Sequence, residues 1–426
     1  MFIMNACPVR EPLAERSADR SLVRAQWVQG VYFGCALGLL AALAIRFQSG
    51  RSLWLDEAWV ANSATAPSLH DVFFYPHWLQ TSPPLFLLMV RAAVRIFGSG
   101  NTALRAVPMI MGAVSALLMW RIVSRVLTRP FALLAWTSFA FSPAAFEYAL
   151  TLKQYSSEVA ASAVVLLVCI GYLRQPSGAR FWLLAGTIGI GLLAAYSLVF
   201  VLPLVALVLL ARGMHQRALT LIALASSVFV AEYFLLISRN TSAALRAFWA
   251  PDFFPNVFAS GRDLLWLLPL PDRLLLQATF VGCGAAALCL AGLVLALCHG
   301  RRRIEIQVLC GGPCLLVCGA NYYSIYPMTA RTELFLLPFL VVLLFSDLQL
   351  VTHSLPARTH RRLQPSLGWI LIAGTLLAVV AGARKIDALS SQAPEEDAAS
   401  AISFLRDHVR PGDTVWVPVE GLWSVF

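Results

Sequence analysis

The stretch Pro83-Pro84-Leu85-Phe86-Leu87-Leu88-Met89-Val90-Arg91-Ala92-Ala93-Val94-Arg95-Ile96-Phe97 decides how this chain is threaded. It is apolar enough to be taken for a membrane crossing, but a helix needs about 20 apolar residues to cross a ~30 Å hydrocarbon core. This stretch is shorter, opens with two prolines, and sets Arg91 and Arg95 on one helical side. Proline is well tolerated at the first position of a helix, where its missing N–H breaks no intrahelical bond. The pattern predicts a helix lying in the membrane interface rather than through it. Were it to cross, every later segment would change sides.

On both flanks of this stretch the arginines are clustered. Arg10, Arg16, Arg20 and Arg24 precede the first apolar run; then come Arg121, Arg125 and Arg129, Arg174 and Arg180, Arg212 and Arg217, Arg301 to Arg303, and Arg358, Arg361 and Arg362. With residues 83–97 in the interface and the N-terminus in the cytoplasm, all of these clusters are cytoplasmic, as the positive-inside bias requires. The loop 239–273 is the exception, being placed outside although it holds Arg239, Arg246, Arg262 and Arg273.

Composition agrees. The chain has 426 residues, 59% hydrophobic and 13% charged, about half the charged fraction of a soluble domain. That excludes collagen, disorder and a disulfide-stapled secreted module. The net charge of +10 sits at the ends of apolar runs and so reads as topology, with no nucleic-acid partner implied. The nine cysteines lie nearly all inside apolar runs, as small hydrophobes. Cys310, Cys314 and Cys318 share a helical face, but no His or carboxylate joins them as a metal ligand.

These features predict an all-α polytopic membrane protein of about eleven transmembrane helices, at 26–46, 104–122, 130–147, 157–173, 181–197, 198–211, 218–238, 274–298, 305–323, 332–350 and 368–383. The first is expected to be a retained helix rather than a signal peptide, despite the cleavage-like Ala42-Leu43-Ala44. The transmembrane domain is 1–383, with a first outer segment, 47–103, carrying juxtamembrane helices and an outer loop, 239–273. A small extracytoplasmic tail, 384–426, follows. In the tail, Ala398 to Val409 reads as a helix and Thr414-Val415-Trp416-Val417 as a strand, too little to bury a core alone.

Three polar islands fall on the outer side. The first, Leu53-Trp54-Leu55-Asp56-Glu57-Ala58-Trp59, sets two carboxylates among tryptophans just beyond a membrane helix. Partial desolvation there makes an ionised carboxylate a stronger base, although a helix cap among belt tryptophans would read the same way. The second, Glu147 to Glu158, holds Tyr148, Lys153 and Tyr155, and Lys153 is one of only two lysines in the chain. Buried ions need partners, so Lys153 is expected either in a site or in an ion pair with Glu147 or Glu158. The third, Tyr322 to Glu333, contains Tyr326-Pro327 and Arg331 at the entry to a span. Arginine there suits a lipid phosphate, or else snorkels to the interface. His70 and His77, near Asp71, are candidate ligands should a divalent cation take part.

In this order, the acidic pair Asp56-Glu57, the Pro83-Pro84 helix followed by Ala103-Leu104-Arg105-Ala106-Val107-Pro108, and Tyr326-Pro327 with Arg331 resemble the GT-C glycosyltransferases. The likeness is to glycosyltransferase family 39, the group of protein O-mannosyltransferases and lipid A aminoarabinose transferase. It is convincing over about 50–175 and looser around 320–345. The resemblance implies a multi-pass enzyme of a bacterial plasma (inner) membrane. It would move a hexosyl or pentosyl group from a polyprenyl-phosphate donor to an acceptor glycan, lipid or protein on the outer face. Asp56 matches the catalytic base, with Glu57, Lys153 and Glu158 as possible support. Pro83, Pro84, Tyr326, Arg331, Tyr148 and Tyr155 fall where the donor phosphate and lipid are bound. Relatives often carry His or Lys before the paired prolines, where this chain has Thr81-Ser82.

The chemistry fits a single base. A phosphate leaves without needing a proton, so one carboxylate suffices to deprotonate an acceptor attacking from the opposite face, with inversion. The rival readings are a transporter or flippase of lipid-linked sugars and a non-catalytic assembly protein. A gradient requirement would mark the former; transfer activity that follows Asp56 would exclude both.

Overall fold

The computed structural model describes residues 13–48, 52–74, 80–253, 285–355, 357–391, 398–410 and 412–415, and among them it is helical with no strand. In chain order the helices are α1 (Leu13–Phe47), α2 (Leu55–Thr65), α3 (Leu69–Phe73), α4 (Pro84–Phe97), α5 (Asn101–Val126), α6 (Arg129–Ala140), α7 (Pro143–Ala149), α8 (Tyr155–Arg174) and α9 (Gly178–Ala194). They continue as α10 (Leu202–Ala211), α11 (His215–Glu232), which a π turn extends to Asn240, α12 (Ala243–Trp249), α13 (Ala285–His299), α14 (Arg301–Tyr322), α15 (Leu337–His353), α16 (Ala357–Ser391) and α17 (Ala398–His408).

Seven helices among the described residues are long and apolar enough to cross a membrane: Val28–Phe47, Asn101–Val126, Tyr155–Arg174, His215–Asn240, Arg301–Tyr322, Leu334–His353 and Trp369–Ala388. Gly178–Ala194, Tyr196–Ala211 and Ala287–His299 are shorter apolar helices. Large side chains such as Leu37, Ile45, Leu315 and Trp369 are about 70% or more exposed on these helices. Outside a bilayer, so much exposed apolar surface would drive aggregation; within one, it faces lipid.

One expected crossing is different. Residues 130–147 form two helices, α6 and α7, because Pro143 lacks an N–H and biases Ser142 out of the helical region. Ser142 instead caps α7, its hydroxyl accepting from the N–H of Ala145 at 3.3 Å. Of the expected span 274–298, residues 274–284 lie outside the described residues, as do 254–273 of the outer loop and Trp416 and Val417 of the strand expected in the tail.

The Pro83-Pro84 stretch is a helix, with Pro83 as its N-cap and Pro84 at its first position. Its two arginines part company. Arg95 is exposed, whereas Arg91 is buried and donates to the carbonyls of Ala64 (3.3 Å), Ala66 (2.5 Å) and Pro67 (3.2 Å). Arg91 thereby satisfies carbonyls that the end of α2 leaves unpaired. A separate apolar cluster, including Val60, Ala64, Phe86, Val90, Leu104 and Leu152, packs α2 to α4 on the first turns of α5.

The main core fills the space between α5, α6, α8, α9 and α15. The helix α8 runs from the polar turn 150–154 to Arg174, and its 20 residues span about 30 Å. At its far end Arg174 donates to the carbonyl of Arg125, Arg212 to that of Leu173, and Arg301 to that of Ala211. Four of the arginine clusters thus meet at one end of the bundle, and the polar islands meet at the other.

Candidate active site

Three segments that are remote in sequence converge at the polar end. Asp56 and Glu57 sit in the first turn of α2, where carboxylates suit the positive end of the helix dipole. Adjacent residues on a helix point about 100° apart, and the two acids use this to face different partners. Asp56 turns outward: Arg331 Nη1 lies 3.0 Å and Lys153 Nζ 3.7 Å from its Oδ2. All three side chains are largely enclosed, at 15%, 16% and 8% exposure for Asp56, Arg331 and Lys153.

Glu57 turns inward and is 1% exposed. Arg105 Nη2 and Nε donate to its two oxygens at 2.6 and 3.1 Å, a bidentate pair. The N–H of Leu152 donates to its Oε1 at 2.6 Å and the N–H of Trp54 to its Oε2 at 3.3 Å. Arg105 also donates to the carbonyl of Ser52 at 3.0 Å. One buried carboxylate therefore ties α2 to α5 and holds the turn that carries Lys153.

Lys153 is paired with Asp56, where the sequence suggested Glu147 or Glu158 as its partner. Burial pulls its ammonium below the usual lysine range, while Asp56 pulls it back up. Tyr148 and Tyr155 stand edge to face at 5.1 Å, within electrostatic reach of Asp56 and Arg331, and burial, with the Glu147 charge, pushes the Tyr148 phenol up to about 12. Glu158 is buried one turn further along α8.

Arg331 has an aromatic surround. Its guanidinium carbon is 4.7 Å from the Trp249 ring centroid, 5.8 Å from Phe248 and 5.9 Å from Trp54. Trp249 and Phe248 belong to α12, which reaches the site because the carbonyl of Asp252 accepts from Asn321 Nδ2 at 2.9 Å and from the N–H of Met328 at 3.3 Å. Tyr326 pins the same segment, its hydroxyl donating to the carbonyl of Thr332 at 2.8 Å. Its ring packs on Phe200, and burial raises its phenol well above the usual range.

Pro83 and Pro84 reach the site through their neighbour. The Ser82 hydroxyl donates to Gln154 Oε1 at 3.4 Å, and the carbonyl of Ser82 accepts from the Tyr196 hydroxyl at 3.2 Å. The prolines thus abut the Lys153 turn without contacting Asp56 in any described interaction. His70 and Asp71 stand apart on α3, with Nδ1 to Oδ1 at 3.4 Å, and Ser68 hydrogen bonds hold the Asp71 carboxyl below the usual range. His77 lies outside the described residues. Among those described, no three His, Cys, Asp or Glu side chains are grouped as metal ligands.

Sequence reasoning assigned no role to Arg105, Trp54, Phe248 or Trp249. For Arg105 there was a signal: a charge at the head of a long apolar run needs a buried partner.

The architecture around this site has solved counterparts. ArnT from Cupriavidus metallidurans in the apo state matches with a TM-score of 0.53 at 13% identity, over 95% of this chain and 74% of that one. The Archaeoglobus fulgidus oligosaccharyltransferase with zinc and sulfate matches with 0.54 at 15% identity, over 88% of this chain and 55% of that one. The latter protein tethered to an acceptor peptide gives 0.54 at 16% identity, over 91% and 58%. This chain has the GT-C fold. The dolichyl-phosphate-mannose-protein mannosyltransferase family model matches residues 81–242 of it, and the likeness is to the family 39 branch of the GT-C glycosyltransferases. No curated protein matches the sequence. The matched GT-C region takes in the Pro83-Pro84 helix, Arg105 and Lys153. Asp56 and Arg331 lie outside it and are joined to it by the contacts above.

Proposed function

We propose that this chain is an integral membrane glycosyltransferase that takes a sugar from a polyprenyl-phosphate donor and passes it to an acceptor hydroxyl or amine. Transfer takes place on the outer face, opposite the arginine clusters. The observation that carries the reading is the placement of Asp56 between Arg331 and Lys153. Glu57 is already matched by Arg105, so two cations meet one carboxylate, and an anionic group completes the charge. A sugar phosphate supplies that group. The dolichyl-phosphate-mannose family match over 81–242 supports the same donor class.

In the reaction, the acceptor O–H or N–H hydrogen bonds to Asp56, which takes the proton as the acceptor attacks the anomeric carbon. The bond from that carbon to the phosphate oxygen breaks as the new bond forms, and the electron pair leaves with the polyprenyl phosphate. Arg331 and Lys153 hold the charge that grows on that oxygen, and no acid is needed to protonate it. Attack from the face opposite the phosphate inverts the anomeric centre. The aromatic surround of Arg331 keeps the guanidinium fixed and poorly hydrated, which strengthens its pull on the phosphate.

The test is Asp56→Asn, which keeps size and removes basicity. With purified protein, polyprenyl-phosphate sugars and an acceptor mixture, turnover should fall by about 10²–10⁴. The variant should still insert and load with lipid. Near-normal turnover would remove Asp56 as the base.

A further inference from the structure

A second polar site stands at the opposite end of the bundle. A cavity of about 850 Å³ opens between the ends of α8, α10 and α14, and Arg174, Arg212, Arg301, Arg302 and Arg303 line it with His299. Glu305 is the sole carboxylate in that lining. Further in, the wall is apolar, made by Leu166, Ile170, Leu309, Cys310 and Val342. From Arg301 to Cys310 along α14, nine helical steps carry the wall about 13 Å into the bundle.

The arginines are unequally satisfied. Arg212 is held bidentately by Glu305 at 2.7 and 2.6 Å, and Arg301 reaches Glu305 at 3.4 Å. Arg174 donates to a backbone carbonyl and stands within electrostatic reach of Arg125 and Arg302. Arg303 stands within electrostatic reach of the buried Asp347, and Arg302 faces Arg174 with no carboxylate against it among the contacts of the described residues. So concentrated a positive charge at a membrane boundary calls for an anion. A small soluble anion has no use for the apolar depth, whereas a phosphate-headed lipid fills both halves: its head among the guanidinium groups and its chain along the wall.

We propose that this cavity binds the phosphate head and upper chain of an anionic membrane lipid, at a site separate from that of Asp56. The two are about 30 Å apart, the length of α8, so one bound lipid head cannot serve both. Two sources share this chemistry: an anionic phospholipid of that leaflet, and a polyprenyl phosphate. The proposal does not depend on the transfer reaction, because its measurement is binding alone.

The test is native mass spectrometry of the full chain in detergent, with phosphatidylglycerol, phosphatidylcholine or undecaprenyl phosphate added. Arg331→Ala is introduced into every protein measured, to weaken binding at the Asp56 end. Arg302→Gln with Arg303→Gln should weaken binding of an anionic lipid about 10- to 30-fold, as expected for two boundary charges. Arg302→Lys with Arg303→Lys should retain it, which separates charge from folding. Loss confined to phosphatidylglycerol assigns the site to phospholipid; loss confined to undecaprenyl phosphate assigns it to the carrier. Equal binding by the glutamine variant and its parent overturns the proposal, as does a parent that binds phosphatidylcholine as well as either anionic lipid.

Discussion

At the scale of single residues, Asp56 and Glu57 are chemically alike and structurally opposed. Glu57 is enclosed with Arg105 in a bidentate pair, and removing one partner of such a pair leaves a buried charge alone. Glu57→Gln should therefore destabilise the protein by about 3 kcal/mol, read as a lower Tm in detergent, with activity lost in proportion to unfolding. Glu57→Gln combined with Arg105→Gln should recover part of that loss, since no charge is left unmatched. An unchanged Tm in the single variant would refute the clamp. The sequence made Asp56, Lys153 and Arg331 visible separately, as ions beside apolar runs. Their meeting was not legible, because it depends on packing between segments up to 275 positions apart. The division of labour between Asp56 and Glu57 was half legible, in the 100° offset of neighbouring helical residues.

At the scale of elements, the short helix α7 has the tightest seat near the site. A Cβ placed on Gly112 of α5 would stand 2.4 Å from the Cβ of Ala149. Gly112→Ala should push α7 off α5 and displace Tyr148 and the turn that follows it. A displacement of about 1 Å near a reacting centre can cost about 10²-fold in rate. Ala149→Gly in the same chain should restore much of it, by reopening the seat. Steady-state rates of the two single variants and the double variant decide; a double variant no better than Gly112→Ala would mean that α7 does not transmit the strain. The sequence predicted one span where α6 and α7 lie. The run is apolar on average, and the break comes from Ser142-Pro143, whose local effect outweighs the hydropathy of the window.

At the scale of the whole molecule, four arginine clusters and the polar islands occupy opposite ends of the described bundle, the arrangement expected if residues 83–97 lie in the interface. In a cysteine-free background, His70→Cys on α3 and Ser400→Cys on α17 should both react with a membrane-impermeant thiol reagent in intact cells. Ser177→Cys, between α8 and α9 at the arginine end, should not. All three positions are exposed in the fold. Labelling of His70→Cys without Ser400→Cys would place an odd crossing between them and reassign the α6–α7 pair or the segment before α13. The all-helical membrane architecture was legible throughout, because the bilayer leaves few ways to satisfy a backbone. The inward course of α12 was not, since it is fixed by hydrogen bonds from Asn321 and Met328 to one carbonyl.

If Asp56 is the base proposed above, its 3.0 Å contact with Arg331 predicts an order of binding. While the guanidinium holds Oδ2, the paired carboxylate is a weaker base towards a visiting acceptor. An arriving phosphodiester competes for the same guanidinium and so unmasks the base at the moment when a leaving group is in place. The enzyme would then work in compulsory order, lipid donor first, with little futile engagement of acceptor alone. Initial-rate measurements should show spent polyprenyl phosphate competing with donor but not with acceptor. A dead-end acceptor analogue should be uncompetitive towards donor. Random-order patterns in the wild type would dissolve this gate, and Arg331→Lys, with a weaker hold on the carboxylate, should shift the wild-type pattern towards them.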